Sequence, residues 1–247
     1  MKKLFARLML LLVVSAPCYA QQYTGMNGLI HVPSAEMDTI ENLRIGVHAL
    51  PKRMMPNAML LHGEKYASSN WYISAMPLKW MEVGYSFTLM KFYKNLDPRT
   101  GKEGFYSKDR YFSLRLRPLC ESRYLPAFVV GCNDLLGQKD GNSNSFYFRN
   151  FYVAASKHFP LSFGEVGTHL VYRKWVKSNN SRWNGVVGGI TFRPAFFNPL
   201  RLIAEYNASG INIGADCVLL RYLLLQAALI EGREFSVGAA IRIELRD

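Results

Sequence analysis

Phe235-Ser236-Val237-Gly238-Ala239-Ala240-Ile241-Arg242-Ile243-Glu244-Leu245 is the stretch that decides the fold. Phe235, Val237, Ala239, Ile241, Ile243 and Leu245 stand at every second position, against Ser236, Gly238, Arg242 and Glu244. A period of two sends alternate side chains to opposite faces of a strand. Here one face is wholly apolar and the other carries full charges. The segment therefore belongs in a sheet with one apolar side and one polar side.

The same pattern recurs toward the N-terminus. Leu43, Ile45, Val47 and Ala49 alternate with Arg44, Gly46 and His48, and Met81, Val83, Tyr85, Phe87 and Leu89 alternate with Glu82, Gly84, Ser86 and Thr88. Phe112, Leu114 and Leu116 face away from Ser113, Arg115 and Arg117, and Val166, Thr168, Leu170 and Tyr172 from Glu165, Gly167, His169 and Arg173. Twelve such segments are predicted, at 40–50, 69–77, 80–91, 109–118, 125–136, 146–158, 163–175, 184–194, 200–207, 211–220, 222–231 and 233–246. The alternation is weakest in 125–136 and 222–231. Each is close to the ~9 to 11 residues with which a tilted strand crosses a bilayer, and single-chain bacterial barrels use an even strand number. The predicted fold class is all-β: a single transmembrane antiparallel β-barrel of about 12 strands. After residue 20 no uninterrupted apolar stretch approaches the ~20 residues of a membrane-spanning helix.

Connection lengths supply an independent expectation. If the first strand rises from the periplasm, the outer connections are 51–68, 92–108, 137–145 and 176–183, then short ones near 208–210 and 232. The inner ones are 77–79, 119–124, 159–162, 195–199 and 221. Long external loops and short periplasmic turns are the habit of outer-membrane barrels, which places both termini in the periplasm. A soluble β-sandwich or lipocalin-like barrel shares the alternation but would turn its apolar set inward. Aromatics near strand ends, among them Trp71, Trp80, Tyr85, Phe87, Tyr111, Phe151, Tyr152, Trp183 and Phe192, suit interfacial girdles.

Residues 1–20 read as a cleaved signal peptide: Lys2, Lys3 and Arg7 precede the short apolar run Leu8 to Val14, and Ala20 ends the segment. Pro17 directly before Cys18 argues against a lipid-modification site. These features predict export to the outer membrane of a Gram-negative-type bacterium. The formal net charge of the 247-residue chain is +12, of which Lys2, Lys3 and Arg7 account for three. The rest favours anionic surroundings and is not gathered in a nucleic-acid-binding stripe. Expected partners are outer-membrane lipid and lipopolysaccharide, with anionic polysaccharide and periplasmic export proteins as candidates, and no nucleic acid. Cys120, Cys132 and Cys217 are odd in number without metal-type spacing, so they form no disulfide scaffold. Cys132 and Cys217 read as small buried or lipid-facing apolar side chains.

Residues 21–39 fit neither strand nor helix periodicity and are expected to form a closure segment at or inside the periplasmic mouth, ahead of a barrel over 40–247. Leu29, Ile30 and Val32 need burial, and Gly25 and Gly28 permit sharp turns. Gly25, Gly28, Leu29, Ile30, Pro33, Ser34 and Ala35 form a Gly-x-x-Gly-Leu-Ile-x-x-Pro-Ser-Ala pattern. This pattern resembles the opening motif of the YjbH-type family of exopolysaccharide-associated outer-membrane barrels. The resemblance implies a role in an exopolysaccharide pathway and no particular reaction. Some members of that family are much longer, and Leu245-Arg246-Asp247 lacks the terminal aromatic of many outer-membrane barrels.

On the polar faces Glu82, Arg115, Glu165, His169, Arg173, Arg201, Glu205, Asp216, Arg242 and Glu244 are expected to form a network in the lumen. Twelve strands lie between the eight that side chains fill and the sixteen or more that leave a channel, so the count allows a closed or a narrowly open lumen. For an enzyme, His169 with Glu165 could be nominated. Four residues along a strand is about 13 Å at ~3.3 Å per residue, and no serine stands in an evident nucleophile context. His31, His48, His62 and His158 read as ordinary surface or loop histidines, and neither metal nor cofactor is expected. The expected function is non-enzymatic assistance in export, assembly or anchoring of an exopolysaccharide. A small diffusion channel is the alternative, with a lipid-modifying enzyme behind it.

The orientation has a direct test. Single-cysteine labels in 92–108 should react on intact cells and labels at 159–162 or 195–199 should not. The reverse pattern would overturn the assignment.

Overall fold

A computed structural model describes residues 21–38, 42–135, 139–140, 143–144 and 147–245. The expected signal peptide, part of the 137–145 loop and residues 246–247 lie outside the described residues. The strands are β1 (Asn42–Leu50), β2 (Ser68–Leu78), β3 (Met81–Tyr93), β4 (Glu103–Leu119), β5 (Ala127–Asn133), β6 (Lys139–Asp140), β7 (Ser143–Asn144), β8 (Asn150–Leu161), β9 (Gly164–Trp175), β10 (Gly185–Pro194), β11 (Leu200–Tyr206), β12 (Ile211–Leu219), β13 (Leu223–Ile230) and β14 (Glu234–Glu244). All but β6 and β7, which pair with each other, form one closed antiparallel barrel of twelve strands. Closure is by β14 on β1, with Ile241 opposite Ile45 and Ile243 opposite Leu43. The stretch that decided the fold is thus the closing strand.

Each predicted segment overlaps a barrel strand. One hairpin is longer than expected: β3 and β4 stay paired as far as Tyr93 opposite Glu103, across a register shift between Met90 and Phe92. Gly104, Ser107 and Lys108 had diluted the alternation there, but ladder hydrogen bonds do not depend on side-chain polarity. The long connections that leave β1, β3, β5 and β9 share one end of the barrel with the short turns 207–210 and 231–233, and the other end carries the short turns after β2, β4, β8, β10 and β12.

The faces separate sharply. Ile45, Phe112, Val130, Leu170, Val186, Ile190, Ile213 and Val237 are exposed on the outside. Arg44, Glu82, Arg115, Arg173, Arg201 and Arg242 are buried within. This is the inverse of a soluble barrel. Three expected girdle aromatics are corrected: Tyr111, Tyr152 and Trp183 are buried inside. Tyr111 shares the parity of Ser113 and Arg115, so its strand carries it inward. His31 and His48 are likewise buried rather than on surface loops, whereas His62 is exposed.

Large rings fit inside because glycines face them. Gly46 is the cross-strand partner of Tyr72, Gly131 of Tyr152 and Gly238 of His48. A Cβ at any of these glycines would overlap the partner ring. Residues 21–38, which belong to no strand, run through the space that remains and are buried throughout. Among them Tyr23, Leu29, Ile30, Val32 and Met37 join an apolar cluster with Met54, Met55, Phe148, Trp175 and Trp183. Met54, Met55, Phe148 and Trp183 come from the long connections, which fold over that end of the barrel. Arg182 Nη2 fastens them by donating to the carbonyls of Arg53 at 2.8 Å and Met55 at 3.2 Å.

Gly25 has φ +83°, and a Cβ there would also overlap the Tyr72 ring. Gly63 has φ +77° with open space around it. Both Gly→Ala variants incur the left-handed backbone cost of roughly 1 to 2 kcal/mol, and only Gly25→Ala adds a clash. Gly25→Ala should therefore lower the temperature of heat-modified gel mobility further than Gly63→Ala. Equal shifts would show that the lumen segment does not sit against Tyr72.

Candidate functional site: the filled lumen

A chain segment without its own ladder must find partners for its peptide groups elsewhere. Residues 21–38 make few internal bonds, among them a tight turn in which Leu29 N–H donates to the Val32 carbonyl at 2.9 Å and Gly28 bridges Pro33. The turn leaves consecutive N–H groups pointing at the wall. Glu205 on β11 meets them: its carboxylate accepts from Ile30 at 3.0 Å, His31 at 2.8 Å and Val32 at 3.1 Å. Asn212 Nδ2 donates to the same carboxylate at 2.7 Å, which fixes its orientation from the neighbouring strand.

The carbonyls turn to arginine. Arg115 Nη1 donates to Asn27 O at 2.7 Å, and its Nη2 donates to Ser34 O and, at 2.9 Å, to Glu36 O. Arg201 Nη2 donates to Gly28 O at 2.9 Å, while its Nη1 meets Glu36 Oε2 at 2.9 Å. Arg173 Nη1 donates to His31 O at 2.9 Å. Glu82 accepts Asn27 N–H at 3.0 Å and is ion-paired with both Arg44 and Arg115. Asp38 ends the described segment between Arg44 at 3.6 Å and Arg242 at 3.4 Å. Uncharged partners complete the set: Asn70 donates to Tyr23 O, Ser86 to Thr24 O and Gln226 to both Gln21 O and Leu29 O.

Of the residues named from the sequence, Glu82, Arg115, His169, Arg173, Arg201, Glu205, Asp216 and Arg242 are buried inside. Asp216 pairs with Arg201 at 3.1 Å. Glu165 is only half-buried and opposite Arg193 in the ladder, and Glu244 is exposed at the rim, 3.2 Å from Arg242. Every motif residue from Gly25 to Ala35 lies within the lumen segment and is buried. Glu36, Asp38, Arg44 and Ser156 also take part. The sequence signal for Arg44 was its parity with Glu82 and Arg242; Glu36 and Asp38 carried none, because the segment has no periodicity.

His31 lies among rings, with centroids 5.2 Å from Tyr23 and 4.9 Å from Trp183. Burial, reinforced by Arg173 and Arg182, holds its imidazole well below the usual range, so it is neutral at physiological pH. Glu36 shows the opposite balance. Burial alone would raise its carboxyl, but Arg201 and the His158 hydrogen bond hold it well below the ordinary carboxylate range.

The fold does bring a serine to a histidine: Ser156 Oγ is 2.8 Å from His169 Nδ1. The other nitrogen, Nε2, meets Thr191 Oγ1 at 3.2 Å instead of a carboxylate. Ser156 Oγ also accepts the Ala35 N–H at 2.8 Å, and Ser156 and His169 are both buried. The base lacks the orienting acid of a hydrolytic triad, and the hydroxyl is engaged in holding the lumen segment. His169 and Glu165, nominated together from the sequence, share no hydrogen bond or ion pair in the described structure.

These features define a class: a closed antiparallel barrel, apolar outside and charged inside, whose lumen is occupied by its own N-terminal segment. Within that class residues 20–247 match the YjbH family, described as exopolysaccharide biosynthesis protein YbjH, and the chain belongs to that family. No curated protein matches the chain.

Removing the Glu205 charge should loosen the turn at 29–32. Glu205→Gln forfeits charge-assisted bonds worth about 1.5 to 3 kcal/mol. Amide hydrogen exchange at Ile30, His31 and Val32 should accelerate roughly ten- to hundredfold. Unchanged rates at these three amides would remove Glu205 from this role.

Proposed function

We propose that this chain is an outer-membrane barrel that assists export, assembly or anchoring of an exopolysaccharide without catalysing a reaction, and that its lumen is closed at rest. The observation that carries the reading is the burial of residues 21–38 inside the barrel on charged partners from most of the wall. A lumen occupied by this segment counts against the porin-like alternative. The outer face supports membrane residence, since in water it would expose apolar side chains around the circumference. Loop charge suits an anionic polymer or lipopolysaccharide: Lys52, Arg53, Lys65, Lys94, Arg99, Lys102, Lys139, Arg149, Lys177 and Arg182 lie in the long connections, against Glu64, Asp97, Asp134 and Asp140.

The test is the fate of the polymer in a strain lacking the chain. Loss of an export role leaves polymer in the periplasm, loss of anchoring releases it to the medium, and loss of assembly shortens it. Polymer unchanged in amount, length and distribution would reject the proposal. Complementation with Ser156→Ala should restore the wild-type pattern to within about twofold. A nucleophile would instead lose several orders of magnitude of rate, and a null phenotype from an inserted Ser156→Ala barrel would restore the enzyme reading.

A further inference from the structure

Near the short-turn end of the barrel three potential ligands converge from separate parts of the chain. Glu36 comes from the lumen segment, His158 from β8 and His169 from β9, and one ligand atom of each lies within 4.8 Å of the others. We propose that this cluster is a binding site for a divalent transition-metal ion, zinc by its donor chemistry, that ties the lumen segment to the barrel wall. The inference goes beyond the exopolysaccharide role and does not depend on it.

Each ligand is held in a metal-ready orientation. His158 Nδ1 is 2.7 Å from Glu121 Oε2, which leaves Nε2 directed at Glu36 Oε1, 3.0 Å away. A carboxylate on the distal nitrogen is the arrangement that fixes tautomer and ring direction in metal-bound histidines. Arg201 Nη1 at 2.9 Å and Ser34 Oγ at 3.0 Å both donate to Glu36 Oε2, which turns Oε1 toward His158 Nε2. His169 Nδ1–H donates to Ser156 Oγ, and Nε2 would bind the metal in place of its contact with Thr191 Oγ1. The ligand set of two imidazoles and one carboxylate suits zinc, with a fourth position for water.

The space between the ligands is kept open by Gly167. A Cβ there would lie 3.0 Å from both His158 Cδ2 and His169 Nε2, and would overlap Thr191 Oγ1. Around a tetrahedral zinc with bonds of about 2.0 to 2.2 Å, ligand atoms stand roughly 3.4 Å apart, so the widest pair has to close by at most about 1.4 Å. Side-chain rotation supplies that. The surrounding charges are Glu36 and Glu121 beside Arg201 and Lys157, of which Arg201 is shared with Asp216 and Lys157 with Glu121. Solvent reaches the rim of the site, because His158 and Glu121 are only partly buried.

The test uses the full chain without an affinity tag, carrying Cys120→Ser to remove the exposed thiol, stripped with chelator in detergent. Cobalt(II) is the probe. One equivalent should give visible d–d absorption without a thiolate charge-transfer band, and zinc(II) should displace it. Glu121→Gln, at the rim, should weaken cobalt binding roughly ten- to hundredfold, and Gly167→Ala should abolish it. A wild-type chain that takes up no cobalt overturns the proposal. So does cobalt affinity unchanged in His158→Gln/His169→Gln. Should that double variant fail to show heat-modifiable folding, an unchanged affinity in folded Glu121→Gln overturns it instead.

Discussion

The structure depends on one constraint: peptide groups brought into a barrel without a strand of their own must be paired by the wall. An irregular backbone segment at the centre of a sheet cylinder sees neither bulk water nor a free ladder edge, and each unpaired buried group costs about 1 to 3 kcal/mol. That requirement explains why the inner face carries arginine and glutamate instead of the small or apolar residues that could fill a barrel of this size more simply. Glu205 serves three successive N–H donors, and Arg115 serves three carbonyls. Long, multi-donor side chains reach across gaps that short ones cannot bridge, and their forked geometry serves several groups at once.

The same constraint accounts for what was legible in the sequence. Strand positions were readable because Ile241, Ile243 and their counterparts repeat with the period of the pleat, and parity then placed Arg115, Arg201 and Glu205 on one face. Parity alone did not distinguish a lumen wall from a solvent face. The signal peptide reading and the loop lengths decided that in the sequence, and burial of those charges shows it in the structure. The aromatics were less legible. Tyr111 and Tyr152 look like girdle residues by type; Tyr111 is turned inward by its parity with Ser113 and Arg115, and Tyr152 is marked by the glycine opposite it, Gly131, a pairing that requires the register.

The closure segment was visible as a region without periodicity, and its destination was visible only in the need to bury Leu29, Ile30 and Val32. The cluster of Glu36, His158 and His169 was not legible at all. Two of its members lie on adjacent strands eleven positions apart, and the third reaches them from the lumen segment, so no local spacing records the meeting. Ser156 and His169 were hidden in the same way: they are a cross-strand pair of β8 and β9, invisible until the register is known.

The contacts interlock, and this bears on how the lumen could ever open. Arg115 holds positions 27, 34 and 36, and Arg201 holds 28 and 36, so no part of the segment can withdraw while the rest keeps its partners. Losing these five bonds together at about 1 to 3 kcal/mol each leaves an open fraction on the order of 10⁻⁴ or below. A partly withdrawn segment is worse placed than either end state, because it strands buried guanidinium groups beside carbonyls that have gone. The lumen is therefore two-state in character, filled or cleared as a unit, and thermal fluctuation does not populate the cleared state to any useful extent. Sustained passage of a polymer through it would need a partner that binds the released segment or the emptied wall with several kcal/mol of preference. The long loops need no such rearrangement to keep their place, which makes the filled barrel a rigid support for them.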